Sequence, residues 1–315
     1  MTEPDYISLA FRKASIMKRI APWMIVTAGV LWGSMGIFVK RYDTFGLTSM
    51  DIVAIRAVTT TFLMLGFLLI YNRRLLKIRW KDWWCFFGTG ILSILFFGFC
   101  YFTAIKMTSL SVAAVLLYTA PAMVMLLSRI LFREKITLHK LVALAATFAG
   151  CIFVTGIAGG GQAMSFSGIL VGLGAGFGYA LYSIFSRYAL ERGYHTYTII
   201  FYTFLVAAIG VFPFTNVVGV VNTMTAQVSM TLFSLVFGLV STVLPYVLYT
   251  IGLKYVENCK ASIIASVEPV VATILGIVLF GERLTINVGI GIALVLGAIV
   301  LCNKKDKNDK SRFEK

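Results

Sequence analysis

Apolar residues occur in long runs along this chain, and short polar stretches separate the runs. A helix needs about 20 apolar residues to cross the hydrocarbon core of a bilayer. Ten runs approach or reach that length, and connections as short as residues 106–108 predict tight hairpins between neighbours. The pattern predicts an all-α membrane protein with ten transmembrane helices, at residues 22–39, 51–71, 84–105, 109–131, 139–157, 167–186, 196–214, 230–252, 260–280 and 286–302.

Composition and charge agree with this prediction. Of the 315 residues, 59% are hydrophobic and 13% are charged, whereas soluble proteins carry about 25% charged residues. The net charge of +15 does not indicate nucleic-acid binding, because the basic residues lie in the short segments between apolar runs. With the N-terminus inside, 23 of the 28 Lys and Arg residues lie on the inner side. The positive-inside rule therefore predicts a multi-pass protein of the cytoplasmic (inner) membrane with both termini cytoplasmic.

The chain contains an internal repeat. Residues 101–137 align without a gap with residues 249–285, so that Pro121 meets Pro269 and Glu134 meets Glu282. Each half then holds five helices, and because five is odd the second half enters the membrane inverted. Inverted repeats are typical of secondary transporters, whose substrate site lies near the midplane. The predicted units are a cytoplasmic tail at 1–21, repeats at 22–157 and 158–302, and a basic cytoplasmic tail at 303–315.

Glu268 and Pro269 lie together in the middle of the ninth run. A carboxylate at the centre of a bilayer helix costs about 2.5–3.5 kcal/mol on insertion scales, so its presence requires a reason. Glu268 can bind a cationic part of a substrate, take up and release a proton, or be structural, bonded to a carbonyl such as that of Ile264. Arg56 lies inside the second run and is a possible intramembrane charge partner, since Asp51 precedes it by five residues, a poor helical spacing.

The two aligned prolines are hinge candidates. Pro121 and Pro269 each free a backbone carbonyl in mid-span, which a membrane tolerates where protein or a cavity satisfies that group. Matched hinges in two inverted halves suit alternating access. The alternative is a pair of static kinks set by packing.

Aromatic side chains with polar tips cluster on helix faces that could line a midplane cavity. The alternative is that these groups hydrogen-bond helices together. With Glu268, the pathway candidates are Trp32, Tyr101, Tyr118, Tyr179, Tyr182, Tyr246 and Tyr249.

Small residues recur every four positions in two of the predicted helices and indicate close helix packing. The first stripe holds Gly168, Gly172, Gly176 and Ala180. The second, at Gly289, Ala293 and Gly297, could also mediate a homodimer.

Other chemistry finds no support in the sequence. The five cysteines show no CxxC pairing, and His139 and His195 lie in separate loops, so we expect neither a metal site nor a cofactor. The spans carry no Ser/His/Asp group or HExxH motif, which argues against an enzyme.

Several of these features together resemble a known family. The segment VLWGSMGIFVK at residues 30–40, Arg56, and the paired P…FxE(K/R)(I/L)T blocks resemble the EamA-type branch of the drug/metabolite transporter superfamily, from Trp23 to Cys302. The family's second repeat often carries Glu-Pro, as here at Glu268. The resemblance implies a ten-helix carrier, typically an exporter of small metabolites. The first span lacks the acidic residue of the four-helix multidrug branch, so that branch's proton-coupling scheme is not carried over.

The resemblance and the residues together predict a secondary transporter of small organic molecules such as amino acids, their derivatives or drug-like compounds. Two alternatives remain open. A nucleotide-sugar or sugar-phosphate carrier would need several basic residues deep in the cavity, where only Arg56 is available. A lipid-moving or scaffold subunit would need a cavity that opens sideways.

Overall fold

A computed structural model describes residues 3–155, 165–226, 228–281 and 284–303, and in these ranges the regular structure is helical. Among the described residues, nine segments are long and apolar enough to cross a membrane, and Leu138–Val154 is a shorter apolar helix. Together they confirm the ten predicted helical segments. The α-helices are α1 Glu3–Gly33, α2 Met35–Asp43, α3 Ser49–Tyr71, α4 Trp83–Phe87, α5 Phe96–Met107, α6 Leu110–Leu117, α7 Ala120–Leu131, α8 Leu138–Val154, α9 Phe166–Glu191, α10 Thr196–Val211, α11 Val217–Ala226, α12 Val228–Gly238, α13 Leu244–Leu253, α14 Asn258–Ala265, α15 Glu268–Phe280 and α16 Ile286–Asn303.

The first helix begins earlier than the apolar pattern predicts. It starts at Glu3 and continues through Pro22. Residues 5–21 contain neither Gly nor Pro, so nothing in that stretch interrupts a helix. The helix ends at Gly33, and after a turn at Ser34, whose hydroxyl donates to Leu31 O at 2.7 Å, α2 resumes the same span.

Residues beside the loops of the first half contact residues of the second half at both ends of the bundle. At one end, Asp51 closes a capping box with Thr48 at the start of α3 and accepts the backbone N–H of Asn216 at 2.9 Å. At the other end, the backbone N–H of Arg79 donates to the hydroxyl of Tyr194 at 3.0 Å. Asp51 is therefore occupied as a helix cap, which agrees with its poor spacing for a pair with Arg56.

The first small-residue stripe packs as predicted. A Cβ added at Gly176 would lie 2.7 Å from the Thr119 hydroxyl, so the stripe on α9 lets the fourth span approach closely. The second stripe does not pack against other described residues of the chain, so packing within the chain is not its role, while the homodimer contact stays a prediction. Gly289 and Gly297 have open space around them, because α16 instead turns Gly291 toward Gly150 of α8, where the two glycines allow the closest approach.

Both repeats interrupt their helices at equivalent positions. The fourth span breaks at Tyr118 and Thr119, between α6 and α7, and the ninth breaks at Ser266 and Val267, between α14 and α15. These breaks have the same offset as the sequence repeat. The third span of each half also contains a π-helical segment, at Gly88–Leu95 and Leu239–Val243.

The two prolines do not lie in the middle of a kinked helix. Pro121 and Pro269 lie in the first turns of α7 and α15, just after the breaks. Proline is well tolerated in the first turn of a helix, where its missing N–H would have no intrahelical partner. Each span is therefore two short helices joined by a turn, and the proline begins the second one.

Candidate functional site

A small aromatic cavity lies at the centre of the bundle. It has about 20 Å³ of space for water-sized groups, enough to hold about one water molecule. It is much smaller than the roughly 300–1,000 Å³ of a typical ligand pocket. Its lining includes five of the predicted pathway residues, and the full lining is Trp32, Ser93, Ile94, Phe97, Tyr179, Tyr182, Ser183, Tyr246 and Tyr249.

Trp32 is the centre of the aromatic cluster. Its ring lies 5.1 Å from that of Tyr246, 5.3 Å from Tyr249 and 6.5 Å from Tyr179, measured between centroids. The contacts to Tyr246 and Tyr179 are edge-on, a favoured arrangement of aromatic pairs. Because Trp32 lies in the last turn of α1, before the turn at Ser34, the broken first span brings its indole to the cavity.

Two of the tyrosines also join helices. The hydroxyl of Tyr182 lies 2.7 Å from that of Thr250, and the hydroxyl of Tyr249 lies 2.7 Å from that of Ser183. Both bonds connect α9 with α13. For Tyr182 and Tyr249, lining a cavity and joining helices are therefore compatible. Each ring lines the cavity while its hydroxyl forms a hydrogen bond to the other helix.

Glu268 is the first residue of α15, beside the cavity. Its Oε2 accepts a hydrogen bond from the Tyr179 hydroxyl at 3.4 Å. The position at a helix N-terminus favours a negative charge. The Ile264 carbonyl, one of the partners considered from the sequence, accepts instead from the backbone N–H of Val267 at 3.3 Å. Tyr179 thus connects the carboxylate with the cavity.

Arg56 reaches the same cluster from α3. Its Nη2 donates to the Tyr246 hydroxyl at 3.0 Å, and its Nη1 lies 3.5 Å from the Met35 sulfur. Within the described residues it forms no ion pair with Glu268. The two opposite charges are held apart, Arg56 by Tyr246 and Glu268 by Tyr179.

The two other predicted tyrosines lie farther out. Tyr101 stacks on Phe97 at 5.6 Å, and Phe97 in turn lies 5.9 Å from Tyr179. Tyr118 lies at the break before α7 and packs against the central core without lining the cavity.

Helix periodicity did not identify all of the lining residues. Ser93 and Phe97 share a face with Tyr101 at a spacing of four, and that signal is present in the sequence. Ile94 lies three positions before Phe97 and seven before Tyr101, so it shares that face as well, but an aliphatic side chain carries no polar group that would mark it as a site residue. Ser183 was missed although it follows Tyr182.

A second polar cluster, which we call the clamp, joins the two halves at one end of the bundle. Glu134 accepts the backbone N–H groups of Asn258 and Cys259 at 2.9 and 3.3 Å, and so caps α14. Arg187 donates to Asn258 Oδ1 at 3.1 Å and lies 3.9 Å from Glu134. Glu134 of the first half therefore caps a helix of the second half.

Lys140 extends the clamp. Its ammonium group lies 2.5 Å from the Glu257 carboxylate and 2.6 Å from the Lys135 carbonyl. These contacts hold residues of the first half against the loop that precedes α14. Under the predicted orientation this is the cytoplasmic end.

Comparison with known proteins places the chain in a family. Residues 19–156 and 166–304 each match the sequence model of the EamA-like transporter family. An uncharacterized transporter of Archaeoglobus fulgidus is 29% identical over 88% of this chain and 94% of its own. The uncharacterized transporter YxxF of Bacillus subtilis is 25% identical over 91% of each chain. A solved protein structure shares the fold, with a TM-score of 0.72 and 19% identity over 90% of this chain and 96% of the other. The chain belongs to the EamA-like transporter family and is a multi-pass membrane protein.

Proposed function

We propose that this member of the EamA-like transporter family is a secondary carrier that moves a small organic molecule across the cytoplasmic membrane, outward, by alternating access. The observation that carries the proposal is the pair of helix breaks at equivalent positions, one before Pro121 in the fourth span and one before Pro269 in the ninth, the span that carries Glu268. Amino acids, their derivatives and drug-like compounds are the substrates that the aromatic cavity suits best.

The small cavity volume supports a moving site. A space of about 20 Å³ cannot hold an organic molecule, so substrate binding requires the surrounding helices to separate. The breaks supply the places where α7 and α15 can change direction, since turn hydrogen bonds such as Val267 N–H to Ile264 O replace the regular helical ladder there. Inverted halves would let the two breaks open the site toward opposite sides.

The clamp closes one end of the bundle in this stage of the transport cycle. Opening the cavity toward that end requires separation of Glu134 from the N-terminus of α14 and of Lys140 from Glu257. Both contacts join residues from different halves of the chain. A carrier that alternates between two open states needs such reversible closures at each end.

Glu268 gives the site its chemical selectivity. Through Tyr179 it can present a negative charge to a cationic group of the substrate, or it can carry a proton that exchanges for the substrate. Either role requires the carboxylate to face the cavity in one stage of the cycle. An ionisable group at this depth of a membrane protein is usually part of its function.

Solute exchange in proteoliposomes tests the proposal. Purified protein is reconstituted with unlabelled amino acids, amines, nucleobases or nucleotide sugars inside, and entry of the labelled compound is measured. We expect counterflow of at least one small organic compound, abolished by Glu268→Gln. Glu191→Gln, at the exposed end of α9, is the matched control and should exchange normally.

The other outcomes are equally informative. Exchange of nucleotide sugars alone would favour the phosphorylated-sugar carrier. Absence of exchange for every compound, with accelerated movement of labelled phospholipid between leaflets, would refute the proposal and favour a lipid-moving protein.

Topology is tested separately: a cysteine placed at either terminus should be labelled by an impermeant reagent only after the cell membrane is opened.

A further inference from the structure

Arg56 differs from the other inward-facing cations that the structure describes. Lys140 has a carboxylate oxygen 2.5 Å away, and Arg187 has one 3.9 Å away. Arg56 is 9% exposed, and no carboxylate in the described residues forms an ion pair with it. Its partners are the Tyr246 hydroxyl and a methionine sulfur, neither of which carries a charge to balance the guanidinium.

A cation without a directly bonded counter-ion is expensive at this position. Charged side chains within membrane spans usually pair with one another or serve a substrate pathway. A buried ion that lacks its counter-ion loses hydration without regaining the energy from a partner. The Tyr246 ring, 5.6 Å below the guanidinium carbon, supplies a cation–π contact that returns only part of that energy.

Two buried nitrogen donors, one on Arg56 and one on Trp32, also have no hydrogen-bond partner among the described residues. They are the Nε of Arg56 and the indole Nε1 of Trp32. Both side chains contact Tyr246, since the Trp32 ring lies 5.1 Å from the Tyr246 ring. Buried donors without partners are uncommon in folded proteins and each calls for an explanation.

The two donors and the positive charge have one chemistry in common, because each of them is complementary to an anion. The planar guanidinium fork matches a carboxylate in geometry and charge. A phosphate group carries more charge and would be expected to meet several cations, whereas here one guanidinium and one indole each contact Tyr246. The site is therefore suited to a single carboxylate.

We infer that Arg56 and Trp32 form a subsite for a carboxylate group of the transported molecule, with Tyr246 between them as the support. The inference rests on the proposed function, and it names the class of substrate: an organic acid, or a zwitterion whose cationic group meets Glu268. Because the cavity is nearly closed in this structure, the subsite fills when the helices separate and the guanidinium fork becomes accessible.

Binding of matched acids and amides tests the subsite directly. The probes are phenylacetate with phenylacetamide, and butyrate with butyramide, so that each pair differs in the charge of one group. Affinity is measured by calorimetry on the purified wild-type protein. We expect each acid to bind at least about tenfold more tightly than its amide, the ratio that one charge-assisted hydrogen bond provides.

Variants then assign the preference to residues. Arg56→Gln should abolish the preference for the acid, and Arg56→Lys should retain part of it, because charge remains without the fork. Trp32→Phe keeps the ring, removes the N–H and should weaken acid binding about two- to tenfold. Trp23→Phe on the same helix and Arg74→Gln, both at exposed side chains, should change nothing.

The outcomes separate this inference from the proposed function. Equal binding of acids and amides by the wild type, including no binding of either, overturns the subsite, as does a preference that survives Arg56→Gln. If amines or neutral compounds nevertheless exchange in proteoliposomes, the carrier proposal stands without the subsite. If no organic compound exchanges, the carrier proposal itself fails. Should Arg56→Gln not fold, the wild-type comparison and Trp32→Phe still decide the question.

Discussion

Gly33 offers a sharp test of how the first span holds the site together. It is the last residue of α1 and lies against the start of α15. A Cβ added there would lie 2.7 Å from the Glu268 carbonyl oxygen and 2.8 Å from the Val271 Cβ. Non-bonded carbon atoms prefer separations of about 3.5–4.0 Å, so Gly33→Ala forces α1 and α15 apart by roughly 1 Å.

Gly36 is the matched control, three residues away on α2. A Cβ added at Gly36 meets nothing within 4 Å. Alanine is favoured over glycine in a helix by up to about 1 kcal/mol, so Gly36→Ala should be neutral or slightly stabilising. Overpacking costs about 1–3 kcal/mol, and against the same helix gain Gly33→Ala should lose up to about 2 kcal/mol.

The assay is equilibrium unfolding of both variants in mixed micelles of mild detergent and dodecyl sulfate, followed by circular dichroism. We expect Gly33→Ala to unfold at a lower fraction of the denaturing detergent than Gly36→Ala, by a difference of about 1–3 kcal/mol in the free energy of unfolding. Gly33→Ala should also weaken substrate binding, because it displaces the backbone that carries Glu268. Equal stability of the two variants would refute the close packing of α1 on α15.

Three further predictions follow from the contacts of the site, the clamp and the breaks. Tyr179→Phe removes the donor to Glu268 and should lower exchange by roughly tenfold with an unchanged circular dichroism spectrum; full activity would show that this bond has no role. Lys140→Met removes the charged contact with Glu257 and the hydrogen bond to the Lys135 carbonyl and should destabilise the protein by about 1–3 kcal/mol, and the double variant with Glu257→Gln should lose less than the sum of the two single losses; additive effects in unfolding measurements would contradict the pairing. Pro121→Ala and Pro269→Ala restore a backbone donor at each break and should slow exchange while equilibrium binding changes less than threefold; loss of binding without a change in rate would indicate static kinks.

The sequence determined the number and kind of the helices. Membrane spans need long apolar runs, and backbone groups in lipid must be satisfied within each helix, so composition and run length predict ten helices with little ambiguity. The gapless alignment also located two irregular positions, since the fourth and ninth spans break just before Pro121 and Pro269. The start of the first helix could not be predicted from the apolar run, because the polar segment before that run contains no Gly or Pro from residue 5 to residue 21 and continues the helix.

The tertiary structure alone decided which side chains meet. Periodicity placed Tyr179, Tyr246 and Trp32 on helix faces, but the rotation of each helix depends on close contacts such as Gly150 with Gly291, which no local pattern specifies. The π-helical segment at Gly88–Leu95 was likewise not visible in the pattern of apolar residues. The partners of Arg56 and Glu268 were likewise undetermined, because a long charged side chain can reach several neighbours and packing selects among them.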